Sequence, residues 1–159
     1  MKIRIGFGVD VHQLVENRTL MVGGIKVPSS FGALGHSDAD VLLHAICDAM
    51  LGALNLRDIG FHFSDTDPKF KDIDSKILLK NTFDLIQAKK YSVVNLDATV
   101  ILEKPKLNPH IPKMQSVISD ILKVEEDAVS IKATTHEKVD SFGKSEAIKA
   151  YCVILLQGD

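Results

Sequence analysis

Aspartate and histidine are concentrated in the stretch His36–Pro68, HSDADVLLHAICDAMLGALNLRDIGFHFSDTDP, which also reads as a buried helix. Val41, Leu42, Ala45, Ile46, Ala49, Ala53 and Leu54 recur at helical spacing and make one face apolar. Asp40, His44 and Asp48 follow one another at intervals of four, so they form a polar stripe along that helix. A histidine so placed could hold a metal by one ring nitrogen and donate from the other to a flanking Asp, which fixes the tautomer. Ser37, three residues before Asp40, reads as the start of a capping box. Taken alone, His44 is more simply a hydrogen-bonded, half-buried histidine.

A second feature shifts that balance. In residues 2–12, Ile3, Ile5, Phe7, Val9 and Val11 alternate with Lys2, Arg4, Gly6, Gly8, Asp10 and His12. The spacing predicts a half-buried strand with its apolar side on the core. Asp10 and His12 project together from the opposite face. Gly6 and Gly8 leave that face bare, so another group can approach the backbone closely. Alone, the Asp-x-His pair is more simply an exposed polar strand face. With His44 it supplies one oxygen and two nitrogen ligands and leaves a fourth tetrahedral position open. That is the pattern of a catalytic zinc site, although manganese or iron would accept the same donors. His36 and Ser37, where the helix begins, could bind an anion together with the first-turn amides. The run from Asp58 to Gly60 and the run from Phe63 to Pro68 could form local turns, or could meet substrate hydroxyls or a second cation.

The balance of charges excludes some partners. The formal net charge is −2, which argues against an electrostatic nucleic-acid binder. Lys and Arg are scattered and form no basic stripe for a membrane surface. The longest apolar run, near Val153–Leu156, is far too short to span a bilayer. Cys47 and Cys152 fit neither a metal spacing nor a disulfide framework, so the expectation is two reduced, buried thiols in a cytosol-like compartment. No signal-peptide pattern precedes the first strand.

The remaining elements must position those side chains. Residues 20–22 and 25–27 flank Gly23-Gly24 and read as a hairpin. Residues 28–37 are rich in Gly and Ser without a period and read as a mobile loop. A helix is predicted over 74–90 with Asp74 or Ser75 as its cap, then a strand over 92–102 and a loop over 103–106. Asn108 as cap and Pro109 as first helical residue open a further helix with Ile111, Met114, Ile118 and Ile121 on its core face. A strand over 128–134 leads into a polar loop, 134–138. The last strand, about 147–156, is apolar nearly throughout, as expected of a strand covered on both sides. This order predicts an α+β fold: a mixed, mainly antiparallel sheet with helices on one face. If the other face is apolar, a partner subunit must cover it.

Four motifs occur in fixed order: Gly6-x-Gly8-x-Asp10-x-His12, His36-Ser37-Asp38-x-Asp40 through to His44, Asp58-Ile59-Gly60, and Phe63-x-Asp65-Thr66-Asp67-Pro68. With them the chain resembles the 2-C-methyl-D-erythritol 2,4-cyclodiphosphate synthases of the non-mevalonate isoprenoid pathway, over nearly its whole length. The resemblance implies one such domain over 1–159, and a homotrimer whose sheets pack at the threefold axis. Active sites would lie between subunits, and the central channel could take an isoprenoid diphosphate. Asp10, His12 and His44 match the family's zinc ligands. His36 and Ser37 match loop positions that meet the substrate 2-phosphate. Asp58 and Gly60 match sugar contacts, and Phe63, Asp65 and Asp67 lie in the family's substrate-binding run. Leu102, Pro105, Lys106, Leu107 and Asn108 match the loop that receives cytosine. Thr134, Thr135 and Glu137 match a neighbouring subunit's contribution to the diphosphate, Glu137 holding a second cation, magnesium or manganese. Lys144 stands where an arginine is usual, His136 where a threonine is frequent, and Ser64 where a proline is usual. Lysine neutralises charge but cannot make arginine's planar bidentate contact.

The implied reaction is intramolecular phosphoryl transfer. The 2-phosphate of 4-diphosphocytidyl-2-C-methyl-D-erythritol 2-phosphate attacks its own β-phosphorus and CMP leaves. The nucleophile is already an anion, so no general base is required. His36 and Thr135 serve as donors to phosphate oxygens. Two other readings use the same residues: a metal-dependent phosphohydrolase, and an inactive trimeric binder of isoprenoid diphosphates. The implied location is the bacterial cytoplasm, or a plastid-type organelle if a transit segment has been removed.

Overall fold

In a computed structural model, which describes residues 2–158, the chain forms seven strands and five α-helices. The strands are β1 (Lys2–Glu16), β2 (Leu20–Val22), β3 (Ile25–Val27), β4 (Phe31–Ala33), β5 (Tyr91–Ile101), β6 (Val129–Thr134) and β7 (Ala147–Gly158). The helices are α1 (Val41–Ala53), α2 (Ile59–His62), α3 (Ser75–Ala88), α4 (Ile111–Leu122) and α5 (Asp140–Gly143). Five strands form one sheet in the order β4-β1-β7-β5-β6, and β2-β3 form a separate hairpin. Only the β5–β6 pairing is parallel, so the expected mixed, mainly antiparallel sheet is what the chain builds. A register shift between Val93 and Asn95 bulges β5 against β7.

One face of the sheet carries the helices. β7 alternates strictly: Ile148, Ala150, Cys152, Ile154 and Leu156 are buried, and the residues between them are not. Val93, Leu96, Ala98 and Val100 of β5 join this layer. Opposite them lie Leu42, Ala45, Ile46 and Ala49 of α1, Leu79, Phe83 and Ile86 of α3, and Met114 and Ile118 of α4.

The orientation of β1 reverses the expectation. Its apolar side faces away from the helices, with Ile5 at 70%, Phe7 at 60% and Val11 at 51% exposure. The glycine side is the buried one. A Cβ at Gly6 would stand 1.8 Å from the Ala49 carbonyl oxygen, and one at Gly8 would stand 2.0 Å from that of Ala45. Helix α1 therefore lies directly on the β1 backbone, through small residues on both sides. Alternation identifies two faces but cannot say which one a helix will cover. The exposed strip continues onto β7, where Val153 is 45% exposed and Tyr151 stacks on Phe7 with ring centroids 6.1 Å apart. The last strand is thus covered on one side within the chain, not on two.

Smaller differences have local causes. β1 runs to Glu16 because β4 pairs with its end, Leu14 opposite Ala33 and Glu16 opposite Phe31. Residues 28–37 are therefore not wholly loop. Asp40, not Ser37, caps α1, accepting from the Leu43 amide at 3.1 Å. Asp74 caps α3 as expected, accepting from Lys76 N at 2.8 Å. Asn108 does not cap α4 with its side chain; Asn108–His110 form a 3-10 turn that leads into it. Among the described residues no helix is long and apolar enough to cross a membrane.

Candidate metal centre and substrate pocket

The contact between α1 and β1 creates the site. With the helix seated on Gly6 and Gly8, the next β1 residues on that face, Asp10 and His12, meet His44. Asp10 Oδ2 lies 2.8 Å from His12 Nε2 and 3.0 Å from His44 Nδ1, and the two nitrogens are 3.3 Å apart. Bonds of about 2.0–2.1 Å in tetrahedral geometry put neighbouring donors roughly 3.3 Å apart. The three atoms form a triangle close to one face of that tetrahedron.

Tautomers strengthen the case for a cation. His12 Nδ1 donates to the Leu34 carbonyl at 3.0 Å, which leaves Nε2 with a bare lone pair. His44 Nε2 lies 2.9 Å from Ser75 Oγ and 3.2 Å from Ser37 Oγ, which leaves Nδ1 bare when Nε2 carries the proton. Two lone pairs and a carboxylate oxygen then converge, an arrangement that calls for a positive charge at its centre. Burial raises the Asp10 carboxyl pKa, but hydrogen bonds and charge from His12 and His44 outweigh it and hold the group at about 2. Burial lowers the His44 pKa, but the hydrogen bond and charge of Asp10 outweigh it, so the net direction is upward.

The carboxylates expected beside His44 serve elsewhere. Asp40 is fully buried and ties the hairpin turn to α1, accepting from Gly23 N at 2.9 Å and Gly24 N at 2.6 Å. Asp48 accepts from Ile59 N at 2.7 Å and so sets the start of α2. Asp40 also occupies the amide end of α1, so that helix end is not the free anion site the sequence suggested.

A cavity of about 360 Å³ opens on this candidate metal centre. His12, His44, His36, Ser37, Gly60, Phe63 and Asp65 all line it, so the structure gathers most of the residues expected there. Two others are turned to local work. Asp58 caps α2 by accepting from Phe61 N at 2.9 Å. Asp67 caps the turn Pro68–Phe70 and pairs with Lys69 at 3.0 Å, and only its carbonyl meets His36 Nε2, at 3.3 Å.

A second cavity, about 80 Å³, is lined by Leu102, Pro105, Lys106, Leu107 and Asn108 together with Thr134 and Thr135. It shares no lining residue with the first. Thr135 Oγ1 reaches Glu137 Oε1 at 3.1 Å, and Glu137 itself is exposed. Among the described residues Asp10, His12 and His44 form the one group of three potential ligands close enough to share an ion, so Glu137 joins none.

Comparison with known proteins identifies the family. The model of the YgbB family matches residues 3–157. The chain belongs to the YgbB family. A 2-C-methyl-D-erythritol 2,4-cyclodiphosphate synthase from Parabacteroides distasonis is 57% identical over 157 residues, covering 99% of this chain and 98% of the relative. A solved bifunctional IspDF from Campylobacter jejuni superposes with a TM-score of 0.95 at 38% identity, over 99% of this chain and 43% of that one. The Plasmodium falciparum IspF in complex with CDP superposes with a TM-score of 0.86 at 38% identity, over 99% of this chain and 97% of that one.

In this YgbB-family chain, several site residues carried no readable sequence signal. Ser75 read only as a candidate helix cap, yet its hydroxyl meets His44 across 31 positions. Ile59, Phe70, Ile73 and Leu78 give the first cavity apolar walls. Nothing in their spacing separates them from ordinary core residues.

Proposed function

We propose that this chain is a cyclodiphosphate synthase of isoprenoid biosynthesis. It converts 4-diphosphocytidyl-2-C-methyl-D-erythritol 2-phosphate into 2-C-methyl-D-erythritol 2,4-cyclodiphosphate and CMP. An oxygen of the 2-phosphate forms a bond to the β-phosphorus. The bond from that phosphorus to the oxygen bridging the α-phosphorus breaks, and the bridging oxygen leaves with CMP. No water enters. The observation that carries the reading is the triangle of Asp10 Oδ2, His12 Nε2 and His44 Nδ1, with edges of 2.8, 3.0 and 3.3 Å, opening on a cavity that also exposes His36 and Ser37.

A divalent cation held by Asp10, His12 and His44, for which zinc is the first choice, supplies Lewis-acid polarisation and charge neutralisation to the diphosphate. The chain's own groups do the rest. His36 and Ser37 grip the 2-phosphate with an imidazole and a hydroxyl. Gly60 and Asp65 face the sugar, and Phe63 with the apolar walls excludes water. Asp58 and Asp67 contribute through the turns they cap. Leu102, Pro105, Lys106, Leu107 and Asn108 receive the cytosine, and Thr134, Thr135, Glu137 and Lys144 address the diphosphate with magnesium or manganese. Holding nucleophile and phosphorus in line supplies up to about 7–11 kcal/mol of the barrier.

The two cavities serve one substrate if they belong to different copies, and two observations support such an assembly. They share no lining residue, and the apolar strip on β1 and β7 has no cover among the described residues. A homotrimer built on this strip would bury it. We place the enzyme in the bacterial cytoplasm, where two buried free thiols persist.

Incubation with the cytidyl substrate, with and without a chelator, tests the reading. Metal-dependent release of CMP with cyclic product is expected. Linear phosphate products would mark a phosphohydrolase instead, and binding without CMP release an inactive binder. For the assembly, Ile5→Glu should shift the sedimentation mass from trimer to monomer. A monomeric parent protein would refute it.

A further inference from the structure

Ser75 opens α3, is fully buried, and lies 2.9 Å from the nitrogen of His44 that points away from the ion site. Its hydroxyl also donates to Asp38 Oδ1, and its amide donates to Asp38 Oδ2 at 3.1 Å. Charge decides the direction of this chain. A carboxylate only accepts, so the Ser75 hydroxyl must spend its one proton on Asp38. The serine oxygen then offers His44 Nε2 lone pairs alone, so Nε2 must carry the proton and Nδ1 must be bare.

Resting on the metal-site reading above, we infer that Ser75, polarised by Asp38, is the positioning residue that sets the tautomer and aim of His44. Ser37 Oγ is a second neighbour of the same nitrogen, but at 3.2 Å it is more distant. It also accepts from Ala39 N at 3.1 Å and belongs to the loop that faces the substrate. Asp38 is held as firmly as Ser75. Its amide donates to the Ile73 carbonyl at 3.1 Å, and next to it Asp72 N donates to the His36 carbonyl at 2.8 Å. The start of α3 and the substrate-facing loop are thereby stitched together behind the metal ligand. Partners of this kind commonly change metal affinity by about 10–100-fold.

The test measures zinc affinity by competition with a chromophoric chelator, using the full chain. Ser75→Ala and Asp38→Ala should each weaken zinc binding by about tenfold or more. Because the two act in one chain, the double variant should be no weaker than the weaker single one. Ser75→Thr, which keeps the hydroxyl, should stay within about threefold of the parent, and cobalt bound to it should give the parent absorption spectrum. Parent-like affinity in both alanine variants would overturn the inference, as would fully additive losses. His44→Ala is the separate control. If it binds zinc as tightly as the parent, the ligand assignment itself is wrong and the role of Ser75 falls with it. Melting of the metal-free variants separates loss of positioning from loss of fold, since a well-folded Ser75→Ala protein must still show the affinity defect.

Discussion

Gly8→Ala probes the contact on which the candidate metal centre depends. The added Cβ would stand 2.0 Å from the Ala45 carbonyl oxygen and 2.7 Å from the Ala49 amide nitrogen. Both are backbone atoms of α1, so no side chain can swing aside. Ordinary contact begins near 3.4 Å, and relief therefore needs a local separation of roughly 1.4 Å. His44 precedes Ala45 on the same helix turn and must move with it. An ångström added to the two edges that reach His44, 3.0 Å from Asp10 and 3.3 Å from His12, takes it beyond the spacing at which the three can hold one ion. Overpacking of this kind costs about 1–3 kcal/mol, which for a chain of this length lowers the melting temperature by about 2–12 °C. Gly52→Ala is the matched control. It lies on the same helix, with nothing nearer than the Phe7 carbonyl oxygen at 4.0 Å. There the change should leave zinc affinity intact and stabilise by about 0.5–1 kcal/mol through helix propensity. Thermal melting and zinc competition read both variants. A Gly8→Ala protein that melts like the parent and binds zinc as tightly would refute the argument that glycine contact places the ligands.

Two further outcomes follow from the buried groups. Burial pushes the Cys47 and Cys152 thiols up to about 12, so neither should be alkylated by iodoacetamide at pH 8 in the folded protein, and both should be in denaturant; mass spectrometry counts the adducts. Asp10 is held at about 2, below its ordinary 3.8, so the folded state favours its ionised form. In chelator-treated protein its contribution is present above pH 3.8 and is lost as pH falls toward 2, amounting to about 2 kcal/mol. Asp10→Asn should flatten the acid side of the urea-midpoint profile, and an unchanged slope between pH 5 and pH 2 would count against the histidine bonds.

Local signals located the side chains that the fold gathers into one group of potential ligands. The Asp-x-His pair on a strand, the histidine on a helix and the two glycines were all legible, because each depends on spacing within one element. So were the helix start at Asp74 or Ser75 and the Gly23-Gly24 hairpin turn, whereas the one-sided burial of β7 was not, because its sequence is apolar on both faces. The roles of Asp40 and Asp48 were not legible. Their place on the His44 stripe suggested partners for the imidazole, but a side chain that can cap its own helix or grip a nearby amide is claimed by that nearer bond.

The sequence by itself determined which side chains could bind an ion, and that strand and helix patterns would present them. Only the tertiary structure decided that the glycine face of β1 is the inner one. Alternation is symmetric between the two faces. What breaks the symmetry is the small-residue surface of α1, some forty positions later, which can approach a bare backbone more closely than any side chain permits. The same contact brings His44 to Asp10 and His12, leaves Ile5 and Phe7 outside, and lets a serine at the start of α3 reach the far side of the imidazole.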